Sequence, residues 1–131
     1  MSKKLCDAFD AKLVSESEKL GENYKNITSL AYRQAIAAHK LVDSKDGPLF
    51  LSKECFSNGC AATVDVSYPS IPLFLIYNPE LIKGMMRPIY KYARSDAWKF
   101  DFAPHDVGQY PLVNGQVYNT NSLNGQMPVE E

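Results

Sequence analysis

The chain has 131 residues, with 14 Lys and Arg against 15 Asp and Glu, so its net charge is −1. At 45% apolar and 22% charged residues it has the composition of an ordinary globular domain, long enough to bury a core, and not that of a disordered or fibrous chain. There is no basic excess to neutralise phosphates, which excludes nucleic acid as a partner, and no apolar run approaches the roughly 20 residues a membrane helix needs.

The opening MSKKLCDAFD has no apolar stretch behind its lysines, so it does not read as a signal peptide and leaves the compartment unknown. Residues 3–20 read as an amphipathic helix with Cys6, Phe9, Leu13 and Leu20 on its apolar stripe, ended by Gly21. A second helix is expected from about Asn23 to Val42. Its wide, alanine-rich apolar arc (Ile27, Ala31, Ala35, Ala38, Val42) predicts a helix pressed between neighbours, and the short link predicts an antiparallel helical hairpin.

DSKDGP (43–48) is turn chemistry. β-rich pieces at 49–51 and 61–66 flank Ser57-Asn58-Gly59, so a small β-hairpin is expected around that turn. PSIPLFLIY fits a buried helix or a buried strand, because periodicity does not separate them in so short a run. Asn78-Pro79-Glu80 is a helix start: an N-cap, a proline at the first helical position and an acid in the first turn. That helix runs to about Arg94 with Leu81, Ile82, Met85, Met86 and Ile89 inward, and a kink is expected at Pro88.

From Ser95 to Met127 no regular pattern appears. A loop this long in a compact domain is most often functional, and its aromatic content argues for order. It carries the adjacent His105 and Asp106, a pair suited to act as base or substrate anchor, or to organise a turn. Trp98, Phe100, Phe102, Tyr110 and Tyr118 line a substrate-binding floor or, on the plainer reading, pin the loop to the helices. Asp65 is a further site carboxylate or a cap for the helix that follows. His39 reads as a partly exposed helical residue. Cys6, Cys55 and Cys60 lack the partners of a zinc spacing and read as reduced structural thiols, so neither a metal nor another cofactor is expected. MPVEE places a proline before two glutamates, as at the start of a helix, and the sequence stops there; the expectation is a cut chain.

The strings LAYRQAIAAHKLV, LFLSKECFSNGCAATVDVSYPSIPLFLIYNPELIKGM, APHDVGQYPLVNGQVY and QMPVEE, in that order, resemble the glutaminase A family over about Leu30 to Glu131. The resemblance implies a mainly α fold: antiparallel helical hairpins forming part of an (α/α) toroid similar to the six-hairpin glycosidases, with one long loop and at most a small β-hairpin. Residues 1–131 would then be a single fragment from the N-terminal part of that toroid, and its parent a secreted or periplasmic hydrolase of L-glutamine. The toroid architecture also implies acids at one mouth of the ring. This makes Asp106 with Glu130 or Glu131 the candidate catalytic carboxylates, and His105, Trp98, Tyr110 and Asp65 candidate substrate-binding residues. Adjacent helix positions diverge by roughly 100°, so which of the two glutamates faces the site stays open.

The residues alone do not show glutamine chemistry, since no serine has a lysine three positions later. Two rival readings remain: a glycoside-hydrolase-like toroid acting through paired carboxylates, and a non-catalytic helical binding module. A small-molecule substrate is expected of the parent, and exposed helix faces imply association of copies of the fragment.

Overall fold

The computed structural model describes residues 2–54 and 56–118. In chain order it contains helices α1 (Lys3–Glu18) and α2 (Glu22–Ala37), strands β1 (His39–Val42) and β2 (Leu49–Ser52), and helices α3 (Val64–Tyr77) and α4 (Pro79–Ala93). The architecture is mainly α, as expected. The chain divides into two compact units, one ending at Ala37 and the other starting at Ala38. Among the described residues no helix is long and apolar enough to cross a membrane.

The first unit is the helical hairpin α1–α2. Phe9 of α1 meets Tyr32 of α2 with ring centroids 5.1 Å apart, and the buried Ser17 hydroxyl turns back to donate to the Leu13 carbonyl at 2.6 Å. One expectation fails here: Cys6 is exposed, not packed on a buried stripe. No described side chain of α2 is fully buried, and Ile27 and Leu30 are more than half exposed, so the wide apolar arc is open to solvent, as expected of helix faces built to meet neighbours.

The second unit opens with an antiparallel hairpin whose register runs from His39 opposite Ser52 to Val42 opposite Leu49, with DSKDGP as its turn. This corrects both the predicted extent of the second helix and the predicted place of the β-hairpin. Residues 39–42 pair as a strand, and the 61–66 segment gives only an isolated bridge, Lys53 to Ala61, before α3 begins. Tertiary packing overrides helical propensity at this point. The His39 ring stacks on Phe50 at 4.7 Å and meets Phe74 edge-on at 4.8 Å, contacts that a continued helix would lose. His39 is accordingly buried, not partly exposed.

Successive side chains of a strand point to opposite faces, and β2 uses both. Leu51 packs with Ala62, Ile89 and Val107, with Leu49 beside them. Phe50 packs with Phe74 and Met85, and Ser52 shares a buried hydroxyl hydrogen bond of 2.7 Å with Ser67 of α3. Helix α4 serves both clusters through Met85 and Ile89, and approaches β2 so closely that a Cβ on Gly84 would stand 3.0 Å from the Phe50 nitrogen and the Pro48 oxygen. Arg87 Nη1 donates to the Pro48 carbonyl at 2.6 Å, and Lys91 reaches Asp46 at 2.8 Å, tying the hairpin turn to α4.

PSIPLFLIY resolves as helix. Pro69 and Pro72 each remove a backbone donor inside α3, at a cost of up to about 3 kcal/mol for an interior proline. Both prolines are exposed, as are Asp65 and Tyr68, whose carbonyls lose those partners, so water can satisfy them; Phe74 and Ser67 meanwhile bury the opposite side. At the start of α4 the Asn78 side chain accepts from the Glu80 N–H at 3.1 Å, the predicted cap.

Residues 95–118 contain no helix or strand of regular length, yet they are well packed. Trp98 is buried among Tyr92, Phe100 and Phe102, and its indole N–H donates to the Phe102 carbonyl at 2.7 Å. The loop then folds back on itself at Gly108, whose φ is +107° and where a Cβ would lie 2.5 Å from the Gly115 oxygen. Backbone bonds from Ala61 N–H to Gly108 and from Val107 N–H to Ala61 fix this turn to the core. Gly108→Ala is expected to cost about 2–4 kcal/mol, combining backbone strain with a backbone clash. Asn78→Ala should cost about 1 kcal/mol through loss of the α4 cap. Urea denaturation of the two variants checks both values and their order.

Candidate functional site

Asp106 is fully buried, and both of its oxygens are occupied. Oδ1 accepts from the Gly108 N–H at 2.8 Å and the Val117 N–H at 3.2 Å. Oδ2 faces His105 Nδ1 at 3.0 Å and the Tyr118 N–H at 3.4 Å. Burial disfavours its charge, but the hydrogen bonds from His105, Gly108, Val117 and Tyr118 together outweigh burial and hold the carboxyl below its ordinary value. A carboxylate enclosed in this way acts on its neighbours and has no oxygen left for a substrate.

His105 is 8% exposed. Its backbone N–H donates to Gln116 Oε1 at 2.8 Å, its carbonyl accepts from the Val64 N–H at 3.0 Å, and its ring stacks on Tyr118 at 4.4 Å. The hydrogen bond to Asp106 lifts the imidazole above its ordinary value against the opposing effect of burial, and the charges of Asp106, Asp65 and Glu54 add to the rise. With Nδ1 engaged by Asp106, Nε2 is the nitrogen left for a further partner.

The fold brings two more carboxylates to this imidazole. A ring nitrogen of His105, an oxygen of Glu54 and an oxygen of Asp65 all lie within 4.8 Å of one another. Asp65 is exposed in the first turn of α3, and Glu54 is half-buried just beyond β2, where its side chain accepts from the Ser57 hydroxyl. Cys60 lies beneath, a free thiol whose pKa is pushed up to about 11, first by burial and then by the charges of Asp106 and Glu54. Thr63, which precedes α3, is fully buried, and among the described residues its hydroxyl has no hydrogen-bond partner. Ala62 and Val113, packed in the adjoining core, take left-handed backbone at φ 54° and 48°, each at a cost of about 1–3 kcal/mol.

Of the residues singled out in the sequence, then, the structure gathers Asp65, His105 and Asp106. Glu130 and Glu131 lie outside the described residues, as does Cys55. Trp98 is enclosed in its aromatic cluster, and Tyr110 lies at the surface beneath Lys53 Nζ, 5.6 Å from its ring centre. Glu54 was not singled out. It stands eleven positions before Asp65 and fifty-one before His105, a spacing that matches no short motif; its only sequence signal is a place beside the predicted Ser57–Gly59 turn. A cavity of about 780 Å³ lies elsewhere, between the β-hairpin, α4 and the loop, lined by Leu49, Leu51, Arg87, Tyr92, Val107 and Gly115 among others and by none of the four polar residues above. The cluster of titratable groups around His105 therefore lies apart from that cavity.

The glutaminase A six helical-hairpin domain matches residues 21–131. Glutaminase A of Aspergillus oryzae is 39% identical over 112 residues, which is 85% of this chain and 16% of that protein. A protein of Arthroderma benhamiae named "Probable glutaminase" is 33% identical over 111 residues, 84% of this chain and 12% of its own length. The chain thus spans about one sixth or less of the curated relatives it matches. No solved structure gives a significant match. A match over residues 21–131, most of the chain, means that this protein belongs to the glutaminase A six helical-hairpin family.

Proposed function

We propose that the chain is part of a hydrolase that converts L-glutamine to L-glutamate and ammonia. The observation that carries this reading is the 39% identity to glutaminase A of Aspergillus oryzae across 85% of the chain. The described site supports it. Hydrolysis of a side-chain amide adds water to the amide carbon, breaks the C–N bond and releases ammonia, so the site must activate water and return a proton to the leaving nitrogen. His105, Glu54 and Asp65 are groups of the kind this requires, brought together in one place and braced by Asp106. Asp106 is a positioning residue on this reading: it holds the imidazole and the returning loop, and contact with substrate falls to the three others.

The chain corresponds to 16% of the length of glutaminase A, and we assign the activity to a polypeptide of the relatives' length, with the 131 residues alone inactive. The test is ammonia release from L-glutamine, run beside a panel of glycosides, on the full-length protein and on the 131-residue chain. Turnover of glutamine by the former and none by the latter is expected. In the full-length protein His105→Gln should lower kcat/KM by about 100-fold or more. Asp106→Asn should lower kcat with KM little changed. Glycoside cleavage without ammonia release would overturn the substrate, and wild-type turnover by His105→Gln would overturn the site.

A further inference from the structure

The cluster around His105 has the makings of a cation site, and three features of it point the same way. The first is the donor set. One imidazole nitrogen and two carboxylate oxygens, from three separate segments, lie within 4.8 Å of one another. A tetrahedral ion with bonds near 2.1 Å needs its donors about 3.4 Å apart, so a contraction of up to about 1.4 Å completes the set. The two residues that must move are those free to do so: Asp65 is exposed and Glu54 half-buried, whereas His105 is fixed in the interior.

The second feature is the support behind the imidazole. A metal-binding histidine ordinarily donates its other ring N–H to a carboxylate or carbonyl, which fixes the tautomer and the ring plane. Here Nδ1 faces Asp106 Oδ2 at 3.0 Å, the ring is stacked on Tyr118, and the residue's own N–H and carbonyl are both bonded. The lone pair of Nε2 is thereby directed away from Asp106 by a side chain more than nine-tenths buried, and among the described residues no hydrogen bond to Nε2 is formed.

The third is charge. Glu54, Asp65 and Asp106 surround one imidazole, and among the described residues no lysine or arginine forms an ion pair with any of the three. Even a protonated His105 would leave an excess of negative charge. The first-turn position of Asp65 is suited to the dipole of α3, but that accounts for neither the imidazole nor Glu54.

We infer that His105 Nε2, Glu54 and Asp65 form a binding site for one divalent transition-metal ion of the zinc class, with a water in the fourth position. Mixed imidazole and carboxylate donors suit such an ion, and three protein ligands with an open position are the arrangement of sites that activate water. The site stands on these side chains alone and holds whether or not glutamine is the substrate.

The probe is Zn²⁺ itself, added to the 131-residue chain after chelator treatment and followed by calorimetry and by thermal melting. About one equivalent should bind with a dissociation constant of about 10 µM or tighter, and the melting temperature should rise with added ion. The double variant Glu54→Gln, Asp65→Asn changes only side chains at or near the surface, and circular dichroism verifies that it folds; it should bind at least ~10-fold more weakly. Co²⁺ in place of Zn²⁺ should give the spectrum of nitrogen and oxygen ligands. Absence of binding, binding that survives the double variant, or a thiolate charge-transfer band, which would assign the ion to the cysteines, overturns the site. Loss of glutaminase activity in the full-length protein with Zn²⁺ binding intact would bear on the proposed function and not on the metal.

Discussion

The buried carboxylate of Asp106 is the constraint on which the loop, and through it the site, depends. A chain segment without helix or strand must satisfy its backbone donors by other means, and in 105–118 three of them, at Gly108, Val117 and Tyr118, converge on this one side chain. Hydrogen bonds to a charged acceptor contribute roughly 1.5–3 kcal/mol each, enough to offset the desolvation of a single carboxylate. The same side chain sets the tautomer of His105. Folding of the loop and preparation of the imidazole are therefore one event.

That carboxylate would have nothing to hold without the hairpin beneath it. β2 is only four residues long, yet it divides the second unit into two apolar clusters because Phe50 and Leu51 face opposite ways. The Leu51 side receives Ala62 and Val107, the residues that flank the turn into α3 and the start of the Asp106 turn. Glu54 follows β2 directly, Asp65 opens α3, and His105 is joined to α3 through the Val64 N–H. Each ligand candidate is thus attached to an element that the two clusters fix, which is why residues fifty-one positions apart can meet within a few ångströms.

This explains what could be read from the sequence and what could not. The cap at Asn78 and the helix it starts were legible because the signal is local: a side chain and a backbone N–H two residues apart. That the aromatic loop is ordered and pairs His105 with Asp106 was legible from its composition. Two things were not. Residues 39–42 carry a helical pattern, and it is pairing with β2 and the packing of the distant Phe50 and Phe74 against the His39 ring that favour the strand. Glu54 carries no pattern at all; its role follows from the Lys53–Ala61 bridge, which turns the chain back and sets it opposite Asp65. The apolar arc of α2 was correctly seen as apolar, but its expected burial depends on neighbours that pattern alone does not supply.

Rigidity in the site is unevenly distributed, and the distribution is informative. The imidazole is buried, stacked and hydrogen-bonded at its ring and its backbone, and the adjoining core keeps Ala62 and Val113 in left-handed conformations that only firm packing sustains. The two carboxylates opposite are the reverse: one exposed on a helix turn, the other half-buried and held by a serine hydroxyl. A purely structural polar cluster would be expected to satisfy all its members inward, since a partly satisfied network costs stability. Here one partner is locked in place with a nitrogen left over, and the others remain free to close on it. A fold gains nothing in stability from that asymmetry, whereas binding does: one preorganised donor sets the geometry, and mobile donors admit and release what comes between them.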